Sequence, residues 1–497
     1  MTESIFPARL GALTRSSSAC LEMAHNLLSD RRPTLNLARL LACVVVLLWF
    51  LPDTTEAAPE APAVTAFTDI NVVPMDQERI LTAQTVIVHD GTIVAIGRDV
   101  TIPAGARIVE GRGAWLSPGL ADMHNHVDGA NDLALQLSLG VTTMLNMGEA
   151  RNSFVGRTRA AIARGNVPGP RAFAALAIDG SPQHGHLVVA TAEDARATVQ
   201  VAKANGYDFI KVYNNLSTEA FAALTTAAAE ARIPVVGHGV TSVGLARQLK
   251  ADQMLVAHAE EFFYTFFPTP GPADENTAPD VSEISAAIAL IRRHDAFVVA
   301  DLVTYGAIAR QWGRPEVVEQ YPASPEARFL APGDRVSWAA SGYARRSGSL
   351  DARRWFLDVF VNRMNAAGVH LLSGTDAPGI PGLVPGFALH QNLLALEAAG
   401  LSRFDALATA TRNPGIFMAR AHPGLPPFGT IAVGSCADLI VTSANPLEDL
   451  RTLSRPIGVM ANRRWFTQSD LSALRERIST AYRNAELSDE PGEASRD

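Results

Sequence analysis

The sequence predicts an α/β chain: a (β/α)8 TIM barrel with a small β-sandwich domain built from the N- and C-terminal segments. Three observations carry this. Eight short apolar segments, most of them separated by alanine-rich helical patterns, lie between residues 117 and 424, and eight βα units over about 300 residues suit a closed parallel barrel. Strand-like patterns precede that region at 63–116 and return at 425–469. Finally, 47% hydrophobic residues provide ample material for a large core.

Taken in order, residues 1–62 read as a leader. Arg31, Arg32 and Arg39 precede the apolar run LLACVVVLLWFL at 40–51, and the small and proline-rich stretch EAAPEAPA follows. This is the layout of an export signal with a long basic region, and the run is short for a membrane span. Export to the periplasm or beyond is the expectation, with an uncleaved membrane anchor as the alternative. The β module follows with DINVV, then TVIVHDGTIVAIG, where Asp90-Gly91 marks a hairpin turn, then ARIVEGRGAWL. It resumes in FGTIAVGSCADLIVTS and IGVMANRRWF, and 470–497 read as a C-terminal helix and tail.

Inside the barrel region the strand segments are 120–126, 142–147, 171–177, 208–213, 233–238, 254–258, 297–303 and 369–376. The helix after Tyr213, STEAFAALTTAAAEAR, has Ser217 or Thr218 as a cap, and Phe221 and Leu224 share a face. The segment 304–368 exceeds a plain connection, so it is expected to sit over the barrel mouth and shape a pocket.

Barrel active sites lie at the C-terminal ends of the strands. His124 and His126 end the first strand, Lys211 is near the end of the fourth, and His238, His258 and Asp376 end the fifth, sixth and eighth. Residues two apart on a strand face the same way, so His124 and His126 both face the axis. Imidazoles and a carboxylate converging there suit zinc or a similar divalent ion. Lys211 is open to two readings: it pairs with a carboxylate such as Asp122 or Asp376, or it loses its charge by carbamylation, since an unpaired buried ammonium is costly. Tyr213 lies on the same strand face, within reach of a substrate oxygen, or packs.

These residues carry a resemblance. PGLADMHNH, FIKVY, VVGHG, VAHAEE, LLSGTDAP, VPGFALHQNLLALEAAGLS, ATRNPGIFMA and GTIAVGSCADLIVTSANPLEDL are similar to motifs of the amidohydrolase superfamily, in the branch of imidazolonepropionase and metal-dependent Xaa-Pro and Xaa-Arg dipeptidases. The likeness runs from about residue 65 to 469. It implies His124, His126 and Asp376 as ligands of one metal, His238 and His258 as ligands of a second, and carbamylated Lys211 as the bridge. Two zinc ions are implied, with manganese or cobalt as alternatives, and Asp376 as the catalytic acid–base group. Thr241 stands where deaminase-like members carry glutamate. A second triplet, His184-Gly185-His186, lies in a loop where relatives carry a GGHG-like sequence, so one of its histidines is expected at the substrate, with a solvated or locally bonded loop residue as the alternative; His390, on the helix after strand eight, caps the substrate pocket or simply packs.

The function expected is therefore hydrolysis of an amide or peptide-like C–N bond in a small molecule by metal-activated water. A mononuclear cyclic-amide hydrolase, a deaminase, a phosphotriesterase-like activity and a catalytically idle barrel are the alternatives. A net charge of −8 without a basic stripe excludes nucleic acid as an expected partner. Cys20, Cys43 and Cys436 show no CxxC spacing, so neither a disulfide framework nor a thiolate metal site is expected. A homo-oligomer is compatible with the sequence, and membrane contact is expected only if the leader stays attached.

Overall fold

The computed structural model describes residues 64–267 and 276–489. The leader reading, with its apolar run 40–51, lies outside those residues. No helix among the described residues is long and apolar enough to cross a membrane.

The β module begins with β1 (Val64–Val72), β2 (Leu81–His89), β3 (Thr92–Gly97), β4 (Arg107–Glu110) and β5 (Trp115–Pro118). β2 and β3 pair through a two-residue turn, with Asp90 at φ 50° and Gly91 at φ 75°. Two positive φ values match the twist of the flanking strands, which is why Asp-Gly marks this hairpin. After the barrel come β15 (Leu439–Thr442), β16 (Gly458–Ala461) and β17 (Arg464–Thr467). β15 pairs antiparallel with β5, and all eight strands form one continuous sheet, mostly antiparallel, with β1 parallel to β4 and β5. The two chain ends thus make the domain together, and Phe67, Ile70, Val86, Leu116, Leu439 and Met460 fill its core.

The barrel strands are β6 (Leu120–Asn125), β7 (Val141–Asn146), β8 (Arg171–Asp179), β10 (Phe209–Val212), β11 (Val235–Gly237), β12 (Gln253–Val256), β13 (Phe297–Val299) and β14 (Leu371–Leu372), with the short β9 (Leu187–Val188) paired on β8. All neighbouring pairs are parallel. The circle closes where Met123 donates to Ser373 O at 2.9 Å and Thr375 donates to His124 O at 2.8 Å. All eight predicted strands are present. Six are shorter than expected, β13 and β14 by the most: β13 ends at Val299 because the backbone turns into a helix at Leu302–Gln311, and β14 gives way after Leu372 to an irregular turn with Asp376 at φ 56°.

Ala121, Met123, Leu145, Phe173, Phe209 and Phe297 pack inside the barrel, and Phe417 seals their lower end, 5.6 Å from the Phe209 ring and 5.1 Å from that of Phe297. The upper end is left to polar residues. A register irregularity between Asp122 and Asn125 resets the alternation of β6, so His124 and His126 follow Met123 inward. Asn125 turns back on its own strand, donating to Asp122 O and accepting from Val127 N–H.

The segment 304–368 is helical over much of its length, with Leu302–Gln311, Pro315–Gln320, Pro332–Ala339 and Asp351–Ala366 as its helices. It leans on the turn after β14, where Trp338 Nε1 donates to Pro378 O at 2.7 Å. The C-terminal helix, Gln468–Asp489, packs Leu471, Leu474 and Ile478 against Leu135 of the helix Ala130–Ser138.

Candidate metal centre

Four histidines gather at the upper barrel mouth, and each has its Nδ1 committed. His124 Nδ1 donates to Ala257 O at 3.0 Å and His126 Nδ1 to Gly148 O at 3.1 Å. His238 Nδ1 donates to Glu261 Oε1 at 2.6 Å, and His258 Nδ1 to Asp301 Oδ2 at 2.5 Å. With Nδ1 engaged, each ring has only Nε2 left to offer a metal, so all four can serve as ligands through one atom type.

Those Nε2 atoms face a common region. His124 and His126 place theirs 3.2 and 3.1 Å from Asp376 Oδ1. The His124 and His258 rings are 4.3 Å apart, and those of His238 and His258 are 5.1 Å apart. His238 Nε2 is buried and makes no hydrogen bond. An orphaned imidazole nitrogen at that depth is costly unless something binds it. The donor atoms of His124, His126 and Asp376 all lie within 4.8 Å of one another, as do those of His124, His258 and Asp301. Because Asp301 already receives the His258 Nδ1 proton, its evident role is to hold that ring.

Lys211, 1% exposed, stands among them. Its Nζ is 3.4 Å from His124 Nε2 and 3.1 Å from the Tyr213 hydroxyl. Neither Asp122 nor Asp376 pairs with it. Asp122 instead accepts from Thr375 Oγ1 at 2.8 Å and from the His124 N–H.

The electrostatics follow from burial and from the paired carboxylates. Burial brings Lys211 down to about 8, partly opposed by Asp376 and Glu149. Burial also lowers His238 to about 4, against the pull of Glu261, and holds His124 well below its ordinary value with help from the charges of His258 and Lys211. At His258 burial is outweighed by Asp301, which raises it to about 10. Against burial, the neighbouring His124 and His126 hold Asp376 well below the usual carboxylate range, so it stays ionised. Tyr213 is pushed far up by burial and by Glu149, and so remains a phenol.

The second triplet divides. His184, exposed, stacks on Tyr213 with centroids 4.9 Å apart and planes at 19°, and Tyr213 stacks in turn on His238 at 4.5 Å. His186 is an anchor of its own loop, accepting at Nδ1 from Ala177 N–H and Glu149 N–H, with Nε2 3.2 Å from Ala150 O. His390 is not brought to the mouth: it is buried and spends Nε2 on Leu139 O at 2.8 Å. Three residues at the site escaped the sequence reading, namely Glu261, Asp301 and Glu149. The first two stand three residues after His258 and two residues after β13, and only their closeness to strand ends hinted at them. The long insertion also reaches the mouth, at Tyr343, whose phenol is raised to about 12 by burial and by the charges of Asp376 and Glu260.

The architecture has solved counterparts. A bottromycin amidohydrolase superposes with a TM-score of 0.66 over 86% of this chain and 94% of its own, at 24% identity. The fold is the amidohydrolase fold. An Xaa-Pro dipeptidase with methionine bound in its active site shares this amidohydrolase architecture, with a TM-score of 0.59 over 81% of this chain and 100% of its own, at 18% identity. In sequence, a deacetylase of Brucella anthropi is 39% identical over 75 residues, 14% of this chain and 19% of its own. The chain spans about a fifth of the length of the curated relatives it matches. No family model matches it.

Proposed function

We propose that the chain is an exported, metal-dependent hydrolase of amide or peptide-like C–N bonds in small substrates such as dipeptides and N-acyl amino acids. The observation that carries this reading is the common posture of the four imidazoles, with every Nδ1 engaged and His238 Nε2 buried without a partner. His124, His126 and Asp376 would hold one divalent ion and His238 and His258 a second. Bound there, such ions, zinc first among them with manganese or cobalt as alternatives, supply a water acidic enough to ionise near neutral pH and polarise the scissile carbonyl.

Lys211 supports the two-ion form. Outside of Lys211, His238 and His258 lack a third ligand group: no trio of metal-capable donors among the described residues includes His238. A protonated lysine has no lone pair to offer. Lowered to about 8, its amine is available in neutral form near physiological pH. Attack of Nζ on carbon dioxide with loss of a proton would make it an anionic carbamate able to bridge. Asp376, ionised and beside both first-strand histidines, accepts a proton from the attacking water and delivers it to the departing amine. Tyr213, held as a phenol, orients a substrate oxygen, and His184 stacked on it meets the substrate from the rim. The names of the similar proteins, a deacetylase, an amidohydrolase and a dipeptidase, support the bond type. Export rests on the leader pattern at 1–62.

A screen of dipeptides and N-acyl amino acids for amine release, with zinc, manganese or cobalt restored, tests the proposal. Release that disappears in Asp376→Asn is the expected result. Release that persists in Asp376→Asn, or no release across the panel from a metal-loaded chain, speaks against it.

A further inference from the structure

A cavity of about 570 Å³ opens beside the insertion, and none of the metal-centre residues lines it. Its floor is apolar, from Leu302, Val303, Gly306 and Val384, with the aromatic walls Trp338 and Tyr321. Three guanidinium groups border it: Arg310, Arg314 and Arg354. Arg354 is paired with Asp358. Arg310 and Arg314 have no carboxylate within ion-pair distance among the described residues. Arg310 lies near the Tyr321 hydroxyl, which is buried without a well-formed hydrogen bond. Glu326 and Asp351 also line the cavity. With Arg354 neutralised by Asp358, Arg310 and Arg314 stand against Glu326 and Asp351, so the lining has no charge excess to hold a phosphate dianion and favours a ligand with a single negative charge.

We infer that this cavity binds a small organic monocarboxylate with an apolar body, at a site separate from the metal centre. The carboxylate is met by Arg310 and Arg314, whose planar forks suit it. The apolar body lies on Trp338, Tyr321 and the floor of the helix Leu302–Gln311. That helix has two working faces. At about 100° per residue, Leu302, Val303, Gly306, Ala309 and Arg310 share the cavity side while Thr304 falls opposite. Thr304 Oγ1 donates to Thr375 O at 3.0 Å, next to Asp376, and Asp301 just before the helix holds His258. The helix therefore stands between the cavity and the metal-binding groups and keeps the two sites separate.

Calorimetric titration of the full chain with 4-phenylbutyrate, and in parallel with inorganic phosphate, tests the inference. Expected is saturable binding of one 4-phenylbutyrate per chain, unchanged after chelation of divalent metal, weakened about tenfold or more in Arg310→Gln/Arg314→Gln, and tighter than phosphate. Arg314→Gln alone, at an exposed position, gives a partial loss if the double variant folds poorly. Absence of saturable binding, equal binding by the arginine variants, loss of binding on metal removal or a preference for phosphate would each overturn it.

Discussion

At the scale of single residues, the centre is organised by what holds the imidazoles as much as by the imidazoles. Glu261 illustrates this: one carboxylate oxygen takes the His238 proton, while the other accepts from Gly239 N–H at 2.9 Å and Asn214 Nδ2 at 3.2 Å. The ring is therefore fixed in both tautomer and direction. Glu261→Gln should weaken divalent metal binding about 10- to 100-fold while leaving the fold intact, as measured by competition with a chromogenic chelator. Lys211→Ala should retain about one metal per chain where the parent holds two, as read by elemental analysis. Two retained metals would remove the bridging role. The lowered lysine also sets a direction with pH. Its neutral fraction grows as pH rises through about 8, so reactivation of metal-stripped protein by zinc plus bicarbonate should be faster at pH 8 than at pH 6.5. The candidate ligands could be named from the sequence because they sit at strand ends with a known direction. Glu261, Asp301 and Glu149 could not, because their side chains belong to loops and helix starts, where no periodicity says which way a residue points. The same limit made His184 and His186 look alike, although stacking on Tyr213 takes one to the mouth and hydrogen bonds tie the other into the loop.

At the scale of elements, the C-terminal helix Gln468–Asp489 packs on the barrel's flank. The C-terminal helix brings the Tyr482 hydroxyl to Asp132 Oδ1 at 3.0 Å, on the helix that follows the His124–His126 strand. Burial raises Asp132 from its ordinary value to about 7. A carboxyl whose folded pKa exceeds its unfolded one is best tolerated below the unfolded value, and its contribution is lost as pH rises from about 4 through about 7. Asp132→Asn, which mimics the neutral acid, should therefore raise the apparent unfolding temperature by a few degrees at pH 8 and leave it unchanged near pH 4. Equal midpoints at both pH values would argue that Asp132 is neutral or compensated throughout. The insertion was legible as an anomaly of length, not as a structure. Its helices run from six to 16 residues, and what they cover depends on contacts such as that of Trp338 with Pro378.

At the scale of the whole molecule, the alternation of apolar segments and helical patterns was enough to specify a closed parallel barrel, because only that arrangement buries eight apolar strands inside one ring of helices. The split β module was legible from the strand-like patterns that flank the barrel region at 63–116 and 425–469. Boundaries were less so: β13 and β14 are cut short where the chain turns to form the site, and a twisted ending is not written in hydrophobicity. Under the proposed function, divalent metal at the His124–His126–Lys211–His238–His258–Asp376 constellation is required for amide hydrolysis. The measurement that tests it most directly follows amine release by chelator-stripped protein before and after zinc is restored. Silence in the stripped state and recovery as metal binds are expected, whereas equal rates in the two states, with the protein folded in both, would rule out the metal requirement.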